Sequence, residues 1–410
     1  MNTFKEMGLP EALNHTLQHL QFNEPTPIQQ QAIPVAMQGH DILGSAQTGT
    51  GKTGAFGIPL VAKLMTEPKG TALVMTPTRE LAVQVQKQLS SMLGKRTKIR
   101  SALLIGGDSI HKQLQQLRNK PRLIVGTPGR INDHLERGSL MLNNTDFLVL
   151  DETDRMLDMG FSIQIDNIMK YMTAPKRQTL LFSATLPKNI MSITEKYLNS
   201  PVRISVSQTS SPAKNIKQDV VKIDEAEKYG ELVSQLNERE GSIIVFVKTK
   251  FGTEKMAKKL SKAGHNADAI HGDLRQSRRD RVITAFRKKK YRILVATDVA
   301  ARGLDIPHIE HVINYDLPQC AEDYIHRIGR TARAGASGHA LNLVTPQDKS
   351  KWDAIERLLK TGDSGQDNDK PKKKSNKKRR FSGKRRNNDS FKGQKRRSNG
   401  KGSPKKKVAA

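Results

Sequence analysis

Three short segments of the sequence contain residue types that together could act on a nucleoside triphosphate. Residues 46–53 read AQTGTGKT, and the acidic string DETD follows at residues 151–154. Residues 326–333 read HRIGRTAR and carry three arginines, of which Arg330 and Arg333 are three positions apart. A phosphate-binding loop, acids that can hold a metal and a water, and arginines that meet a charged transition state are the parts that a nucleotide triphosphatase needs. The three segments therefore predict ATP hydrolysis.

The first segment is a glycine-rich loop between a predicted strand and a predicted helix. Gly49 and Gly51 allow backbone N–H groups to approach phosphate oxygens, and the start of the helix adds positive potential. We expect Lys52 to reach the β- and γ-phosphates and the hydroxyl of Thr53 to bind Mg²⁺. The predicted nucleotide-binding loop comprises Ala46, Gln47, Thr48, Gly49, Thr50, Gly51, Lys52 and Thr53.

The second segment places two acids directly after the apolar run FLVL at 147–150. A predicted strand of this kind ends at the carboxyl edge of a parallel sheet, where ligands of open α/β folds bind. We expect Asp151 to be the metal-side acid and Glu152 to position or deprotonate the attacking water. In the third segment, Arg330 and Arg333 would share one face of a helix, and one of them could stabilise the transferring phosphoryl group.

The pattern of apolar runs predicts an α/β fold. Short runs rich in branched residues alternate with helix-like segments, which indicates parallel sheets covered by helices. The strand candidates are 41–45, 72–76, 123–126, 147–151, 179–183, 242–247, 293–297, 311–314 and 339–343. A polar stretch, SVSQTSSPAKN at 205–215, separates the two halves. We predict domains at 1–206 and 217–360, a linker at 207–216, and an active site formed between the domains.

The composition favours a polyanionic partner. The 410 residues include 70 Lys and Arg against 40 Asp and Glu, a formal charge of +30. That balance suits nucleic acid or an acidic membrane surface, but no run approaches the roughly 18 apolar residues of a membrane span. The N-terminus lacks an apolar secretory segment, and Cys320, the single cysteine, can form neither an intrachain disulfide nor a thiolate zinc site. We expect a cytoplasmic protein with no membrane contact.

Half of the net charge lies in the last fifty residues. Residues 361–410 hold 19 basic and 4 acidic residues and only two aromatics. So little apolar surface cannot offset the entropy of ordering, and we expect a disordered tail that contacts nucleic acid. A solubilising or localisation role is the alternative, since PKKKV at 404–408 could serve nuclear import. His308 and His311 have ligand-like spacing, but without a nearby Cys or carboxylate set we expect packing or surface roles.

Taken in order, the motifs resemble those of the DEAD-box RNA helicase family over about residues 4–345. The resemblance implies two RecA-like domains. Phe22, with an upstream aromatic at Phe4, would stack on adenine, and Gln29 would read the adenine edge. Asp305 would hold the ribose, and Arg330 and Arg333 would be arginine fingers. It implies RNA contacts from Pro77, Thr78, Arg79, Gly106, Gly107, Thr127, Pro128, Gly129 and Arg130 in the first domain, and from Gln276, Arg279, Thr297 and Asp298 in the second. Coupling of hydrolysis to unwinding would involve Asp154, Ser183, Ala184, Thr185 and His326.

Three positions depart from the family pattern. Thr153 stands where the family has Ala, and its additional hydroxyl needs a hydrogen-bond partner in the domain interior. Ala332 and Gln21 each stand where Gly is usual. Because Asp151, Glu152 and Asp154 are retained, we expect activity to survive these changes.

The sequence thus predicts a monomeric ATP-dependent RNA helicase that clamps single strands and opens short duplexes. Only 4% of its residues are aromatic, so recognition should depend on phosphates and 2′-hydroxyls, with little sequence preference. Two alternatives remain: a DNA translocase, and a non-catalytic RNA clamp or annealing chaperone. Stimulation by RNA but not DNA would exclude the first, and RNA-stimulated phosphate release would exclude the second.

Overall fold

The computed structural model describes residues 3–46, 49–94, 97–184, 188–206, 215–301, 304, 306, 308–332 and 336–361. Within these residues the strands form two parallel sheets. The strands of the first sheet are β1 (Ile42–Ser45), β2 (Thr71–Met75), β3 (Ser101–Leu104), β4 (Leu123–Gly126), β5 (Thr145–Leu150), β6 (Gln178–Ser183) and β7 (Val202–Ser205). They lie in the order β3-β4-β2-β5-β6-β1-β7.

The second sheet has six strands among the described residues. They are β8 (Ile216–Lys222), β9 (Ser242–Phe246), β10 (Ala267–Ile270), β11 (Ile293–Ala296), β12 (Ile309–Asn314) and β13 (Gly338–Val344). Their order is β10-β11-β9-β12-β13-β8. The predicted fold class, two tandem parallel-sheet α/β domains, is confirmed.

Helices connect the strands of both sheets. Those of the first domain are α1 (Glu11–His19), α2 (Pro27–Met37), α3 (Lys52–Thr66), α4 (Arg79–Leu93), α5 (Ile110–Arg118), α6 (Pro128–Glu136), α7 (Thr153–Asp158), α8 (Ser162–Lys170) and α9 (Lys188–Tyr197). Those of the second are α10 (Lys228–Glu238), α11 (Lys250–Lys262), α12 (Gln276–Arg287), α13 (Asp298–Ala301), α14 (Ala321–Ile328) and α15 (Lys349–Thr361). Short 3₁₀ helices cover Phe4–Met7 and Pro346–Asp348.

Central strands are apolar throughout because both faces of each sheet are buried. In β5, Phe147 and Val149 point into one hydrophobic cluster, while Leu148 and Leu150 point into the cluster on the opposite face. Successive side chains of a strand alternate between faces, so a strand covered on both sides needs an unbroken apolar run. This arrangement fixes the ends of the strands, from which the functional loops emerge.

Each domain contains an arginine whose guanidinium group binds backbone carbonyls in the same way. Arg122, just before β4, donates to the carbonyl oxygens of Leu64 and Gly70 at 2.9 Å each. Arg292, just before β11, donates to the carbonyls of Leu236 at 2.8 Å and Gly241 at 3.1 Å. Both guanidinium groups satisfy carbonyls near a helix C-terminus, which lack partners within the helix. The repeated contact supports the inference that the two halves are similar domains.

All nine predicted strands are present, and the four that were missed are the edge strands β3, β7, β8 and β10. Two of the predicted domain boundaries fall within elements of the structure, and the division into domains at those residues stays a prediction. Ile216, assigned to the linker, is the first residue of β8, and Thr361, assigned to the tail, is the last residue of α15. The rest of the linker up to 214 and the tail from 362 lie outside the described residues, so the predicted tail disorder stays a prediction.

Candidate functional site

The candidate residues of the first domain follow the carboxyl ends of its strands. The phosphate loop follows β1, the acidic string follows β5, and Ser183 and Ala184 lie at the end of β6, which is between β1 and β5. The remaining segments follow β2 (residues 77–79), β3 (106–107) and β4 (127–130). Parallel strands bring all their carboxyl ends to one edge, and this edge is where ligands bind in open α/β sheets.

The phosphate loop has the backbone conformation that its glycines permit. Gly49 and Gly51 have φ angles of 86° and 95°, a region open to Gly at little cost. Lys52 begins α3, is 6% exposed, and its Nζ atom has no hydrogen-bond partner among the described residues. A buried, unpaired ammonium group is costly, and an anion in the loop would satisfy it. Ala46 is buried, whereas Gln47 and Thr48 lie outside the described residues.

Helix α2 contacts this loop through Gln29. The Gln29 side chain accepts a hydrogen bond from the Thr26 backbone N–H at 3.0 Å and donates to the Gly51 carbonyl at 2.9 Å. A Cβ atom on Gly51 would lie 2.7 Å from Gln29 Nε2, so the close approach requires glycine. Phe22 is half-buried, and Phe4 packs edge-on against its ring with the centroids 5.9 Å apart. The segment predicted to read adenine is therefore joined to the phosphate loop.

Asp151 is buried beside Lys52 and the other acids. Burial raises its pKa to about 7, with repulsion from Glu152 and Asp154 adding to the effect and Lys52 opposing it. Its Oδ1 atom is buried without a hydrogen-bond partner among the described residues. An acid in this state gains from a cation, and a divalent ion would favour the ionised form.

Glu152 has a φ of 51° and a ψ of 51°, which places a non-glycine residue in the left-handed region at the start of α7. Its Oε2 atom lies 3.1 Å from NH1 of Arg155, whose side chain is 1% exposed. Backbone strain of this kind costs on the order of 1–3 kcal/mol and is concentrated at functional sites. Sequence reasoning missed Arg155, although it follows the acidic string directly.

The other two residues of the acidic string have clear local partners. Thr153 is completely buried and donates its hydroxyl to the Leu150 carbonyl at 3.2 Å, so the partner that its hydroxyl needs is present. Asp154 accepts a hydrogen bond from the Ala184 backbone N–H at 3.0 Å. This bond joins the acidic string to the predicted coupling segment. Ser183 is buried in β6, and Thr185 lies outside the described residues.

A basic cluster surrounds the loops after β2, β3 and β4. A Cβ atom on Gly107 would lie 2.3 Å from NH1 of Arg79, so the guanidinium rests against the glycine pair. Burial lowers the pKa of Arg79, and the neighbouring charges of Arg279 and Arg130 lower it further while Glu80 opposes them. Cations that repel one another at one edge form a site for an anion. The cluster is accompanied by Pro77, Thr78, Thr127, Pro128 and Gly129, all at the same edge.

Arg279 of the second domain contacts the first domain in this cluster. Its Nε atom donates to Glu80 Oε1 at 2.6 Å, and its NH1 atom donates to the His271 carbonyl at 2.8 Å. Gln276, also buried, donates to Asp280 Oδ1 at 2.9 Å. Thr297 is buried after β11. Glu80 was not singled out from the sequence, because an ion pair between residues 199 positions apart leaves no local signal.

Asp298 has a partner that the resemblance did not indicate. Arg327 binds its carboxylate with two hydrogen bonds, of 2.5 Å from Nε and 2.7 Å from NH2. The same guanidinium donates to Asn314 Oδ1 at 2.9 Å and stacks 4.7 Å from the centroid of Phe246. The Asp298 side chain therefore orients Arg327, and an RNA contact at this position would have to coexist with that pair.

Residues of both domains line a cleft at the end of α14. Arg155 of the first domain faces Arg327, Arg330 and His326 of the second. Arg330 is 4% exposed and donates to the Leu304 carbonyl at 2.9 Å. The first predicted finger is thus at a cleft beside the acidic string, while Arg333 and Asp305 lie outside the described residues.

Both departures at glycine positions adopt positive φ angles. Gln21 has a φ of 60° and Ala332 a φ of 54°. Glycine reaches this region freely, whereas other L-residues pay roughly 1–2 kcal/mol. The backbone conformation explains why glycine is usual at these two positions.

The remaining residues considered in the sequence analysis, two histidines and the cysteine, lie in at least partly buried positions. His308 and His311 each bury a ring nitrogen without a hydrogen-bond partner among the described residues, and burial lowers the pKa of both. Cys320 is half-buried, and burial raises the pKa of its thiol to about 12.

In the described part of the chain, no set of three or more His, Cys, Asp and Glu could hold a metal by itself. None of the described helices is both long and apolar enough to cross a membrane.

Comparisons with known proteins agree with this geometry. A DEAD/DEAH box helicase model matches residues 26–193, and a helicase conserved C-terminal domain model matches residues 225–335. A DEAD-box ATP-dependent RNA helicase CshA of Geobacillus kaustophilus is 44% identical over 362 residues, which is 88% of this chain and 77% of the relative. CshA of Bacillus subtilis is 42% identical over 360 residues, covering 87% and 72% of the two chains.

Two solved structures share the fold. Dbp5 of S. cerevisiae bound to RNA and ADP BeF3 has a TM-score of 0.79 and 32% identity, with 88% of this chain and 94% of that chain covered. Mss116p bound to ssRNA and AMP-PNP has a TM-score of 0.77 and 28% identity, with 87% and 76% covered. Given the two family models and relatives at this identity, the chain belongs to the DEAD-box family of ATP-dependent RNA helicases.

Proposed function

We propose that this helicase hydrolyses ATP in the cleft between its two domains and uses the reaction to clamp and release RNA. The observation that carries the proposal is the meeting of Arg155, which follows the acidic string, with His326 and Arg330 of the second domain. Through Arg155, whose NH1 atom lies 3.1 Å from Glu152 Oε2, the acidic string adjoins a cleft that is lined by arginines of the second domain. That combination suits a γ-phosphoryl group transferred between them.

In this proposal Lys52 binds the β- and γ-phosphates, because its buried ammonium group has no other hydrogen-bond partner among the described residues. Phe22 and Gln29 hold the adenine, and the hydrogen bond from Gln29 to the Gly51 carbonyl ties base recognition to phosphate binding. Backbone N–H groups of residues 46–53 complete the phosphate site, and Asp305 would hold the ribose. Arg330 and Arg333 would stabilise the transferring group once the domains close.

The residues present fit Mg²⁺. Among the described residues a buried oxygen of Asp151 has no hydrogen-bond partner, and Thr53 lies at the start of α3 beside the phosphate loop. Mg²⁺ is commonly bound by one or two protein oxygens together with phosphates and water. When bound, the ion would neutralise charge on the phosphates. Asp151 and Thr53 would hold it, and the ion would favour the ionised form of Asp151, whose pKa Lys52 already lowers against the effect of burial.

Glu152 is the residue that we assign to the attacking water. Its left-handed backbone conformation and its ion pair with Arg155 fix the carboxylate next to Asp151. A group that positions a water or accepts its proton must be held in this way before the substrate arrives. Asp154, through its bond to the Ala184 N–H, would transmit the state of the nucleotide to the coupling segment.

RNA is proposed to bind across the basic cluster of Arg79, Arg130 and Arg279. Support comes from their shared position at one edge of the sheets, and from Dbp5 and Mss116p, which were solved with RNA bound. The contacts with phosphate and sugar groups would carry little sequence preference. Closure on ATP and RNA would disfavour an intact duplex, so single strands and short duplexes are the proposed substrates. The domain boundaries, the RNA-binding tail, a monomeric state and a cytoplasmic location also remain proposals.

The test replaces Glu152 with Gln, which keeps size and hydrogen bonding but removes the charge. We expect turnover to fall by about 10²–10⁴, the usual contribution of a positioned base, while ATP and RNA binding persist. Asp158→Asn, at the last residue of α7, is the control for neutralising an acid near the same helix. Near-normal turnover of the Glu152 variant would remove Glu152 from this role. Equal stimulation of the parent by RNA and by DNA would point to the translocase instead.

A further inference from the structure

A basic stripe with one exposed aromatic runs along α11 in the second domain. Phe251, Lys255, Lys258 and Lys262 are separated by four, three and four residues, which places them on one face of the helix. All four are exposed, and Phe251 is 78% exposed. We call these residues the α11 stripe. By the helical rise of about 1.5 Å per residue it spans roughly 16 Å.

The opposite face of α11 accounts for the packing of this helix. Thr253, Met256, Ala257 and Leu260 are buried against the second sheet. The stripe is therefore dispensable for the core. A large apolar ring that is mostly exposed to water is unfavourable. Among basic side chains, such a ring is typical of a binding surface.

The stripe begins beside the proposed RNA contacts and leads away from them. Helix α11 follows β9, so Phe251 lies at the carboxyl edge of the sheet and Lys262 toward the amino edge. Lys250, adjacent to Phe251, binds Asp273 Oδ1 at 2.6 Å, and Asp273 is three residues before Gln276. A strand that leaves the cleft next to Gln276 would therefore meet Phe251 first and the lysines afterwards.

The positive charge around the α11 stripe indicates which kind of molecule binds it. Residues 250–290 hold 13 Lys and Arg against 4 acidic residues, a concentration of positive charge on α11, α12 and the residues that follow. The chain's own tail, with 19 basic and 4 acidic residues, is repelled by such a surface, and a second copy would present the same sign. Aromatic side chains among cations bind single strands by base stacking and phosphate contact.

We propose that the α11 stripe is an RNA exit track: Phe251 stacks on a base of the strand that leaves the cleft, and Lys255, Lys258 and Lys262 bind its phosphates. The proposal rests on the proposed RNA-binding function and extends it to a surface outside the cleft. The track is used only by RNA that is longer than the cleft, and it would favour substrates with a single-stranded extension on that side.

The experiment measures RNA affinity in the presence of an ATP analogue across a salt series. Two oligouridylates are used, a short one confined to the cleft and a longer one extended by at least the 16 Å of the stripe. The test variant carries Lys255→Gln, Lys258→Gln and Lys262→Gln. The matched control carries Lys69→Gln, Lys120→Gln and Lys176→Gln, three exposed lysines just before β2, β4 and β6 at the amino edge of the first sheet.

For the longer RNA, the test variant should lose up to about 2 from the log–log salt slope, since each lost phosphate contact on a single strand removes about 0.7. The control should keep the slope, and the short RNA should bind both variants equally. Phe251→Ala should weaken binding of the longer RNA about fivefold or more, Phe251→Tyr should restore it, and Met141→Ala, at a side chain 77% exposed, should have no effect.

The possible failures are distinguishable. Unchanged slopes for the longer RNA would overturn the exit track and leave an acidic protein as the occupant of the stripe. Equal losses for the short and the long RNA would also overturn it, because the effect would then belong to the cleft. If the short RNA did not stimulate ATP turnover of the parent, the proposed function itself would fail.

Discussion

The buried acid Asp151 should make the nucleotide-free protein less stable as the pH rises. Burial raises its pKa from 3.8 to about 7, so between these values the folded chain holds a proton that the unfolded chain has released. Stability from this group is present below pH 4 and is lost as the pH rises through about 7. Asp151→Asn removes the titration while it preserves shape, so the variant should gain stability relative to the parent across that window.

The size of the effect follows from the pKa difference. At about 1.4 kcal/mol for each pH unit, the interval from 3.8 to about 7 corresponds to at most about 4 kcal/mol at pH 8. Because a domain of this size shifts its melting temperature by roughly 2–4 °C per kcal/mol, the upper bound is on the order of 10 °C. Lys52, which already lowers the pKa of Asp151, keeps the cost below what burial alone would impose.

The assay is thermal unfolding of the Asp151→Asn variant and the parent from pH 4 to pH 8, in buffer without nucleotide or divalent cation. The difference in melting temperature should widen with pH. Asp133→Asn is the control, because a hydrogen bond from Arg137 lowers the pKa of that partly exposed acid, so its difference from the parent should stay constant between pH 4 and pH 8. A stability difference between Asp151→Asn and the parent that stays constant or narrows with rising pH would refute the assignment of a buried, protonated Asp151.

Three further changes test other parts of the site. Arg330→Ala should reduce the turnover number by about 10³–10⁵ with little change in ATP affinity, and a loss of affinity alone would contradict its role as a finger. Thr153→Ala should leave turnover within severalfold of the parent in steady-state assays, because the hydroxyl donates only to a carbonyl of its own turn. Deletion of residues 362–410 should leave basal turnover intact and flatten the salt dependence of RNA binding, and an unchanged slope would leave the tail as a localisation or solubility element.

The predictable part of this fold is the part buried on both faces. Central strands such as β5 and β9 are continuous apolar runs because helices cover each side, and a continuous run stands out in a sequence. The four edge strands were missed because their environment is mixed: β8, for example, has one buried residue, and β7 exposes three of its four. An edge strand faces water along one side, so its sequence lacks the signal that identifies a central strand.

The same distinction applies to the site. Motifs that act through local geometry, such as the glycines at φ 86° and 95° in the phosphate loop, were identified from their spacing. The contacts of Glu80 with Arg279 and of Asp298 with Arg327 join residues far apart in the chain, and either arginine could equally have been a solvated side chain. Only the folded arrangement determines which charges meet.

Gln21 and Ala332 show how a departure from a family pattern can be interpreted physically. Each has a positive φ, of 60° and 54°, where glycine is the unstrained choice. Gln21 precedes Phe22, which we propose to stack on the adenine, and Ala332 lies between the two proposed finger arginines, so both belong to segments that are proposed to contact the nucleotide. A β-carbon reduces the number of conformations open to the unfolded chain, but at a positive φ it strains the folded chain by more. Each of the two residues therefore strains the folded state where glycine would not, while the sequence beside them retains the full set of acids and arginines.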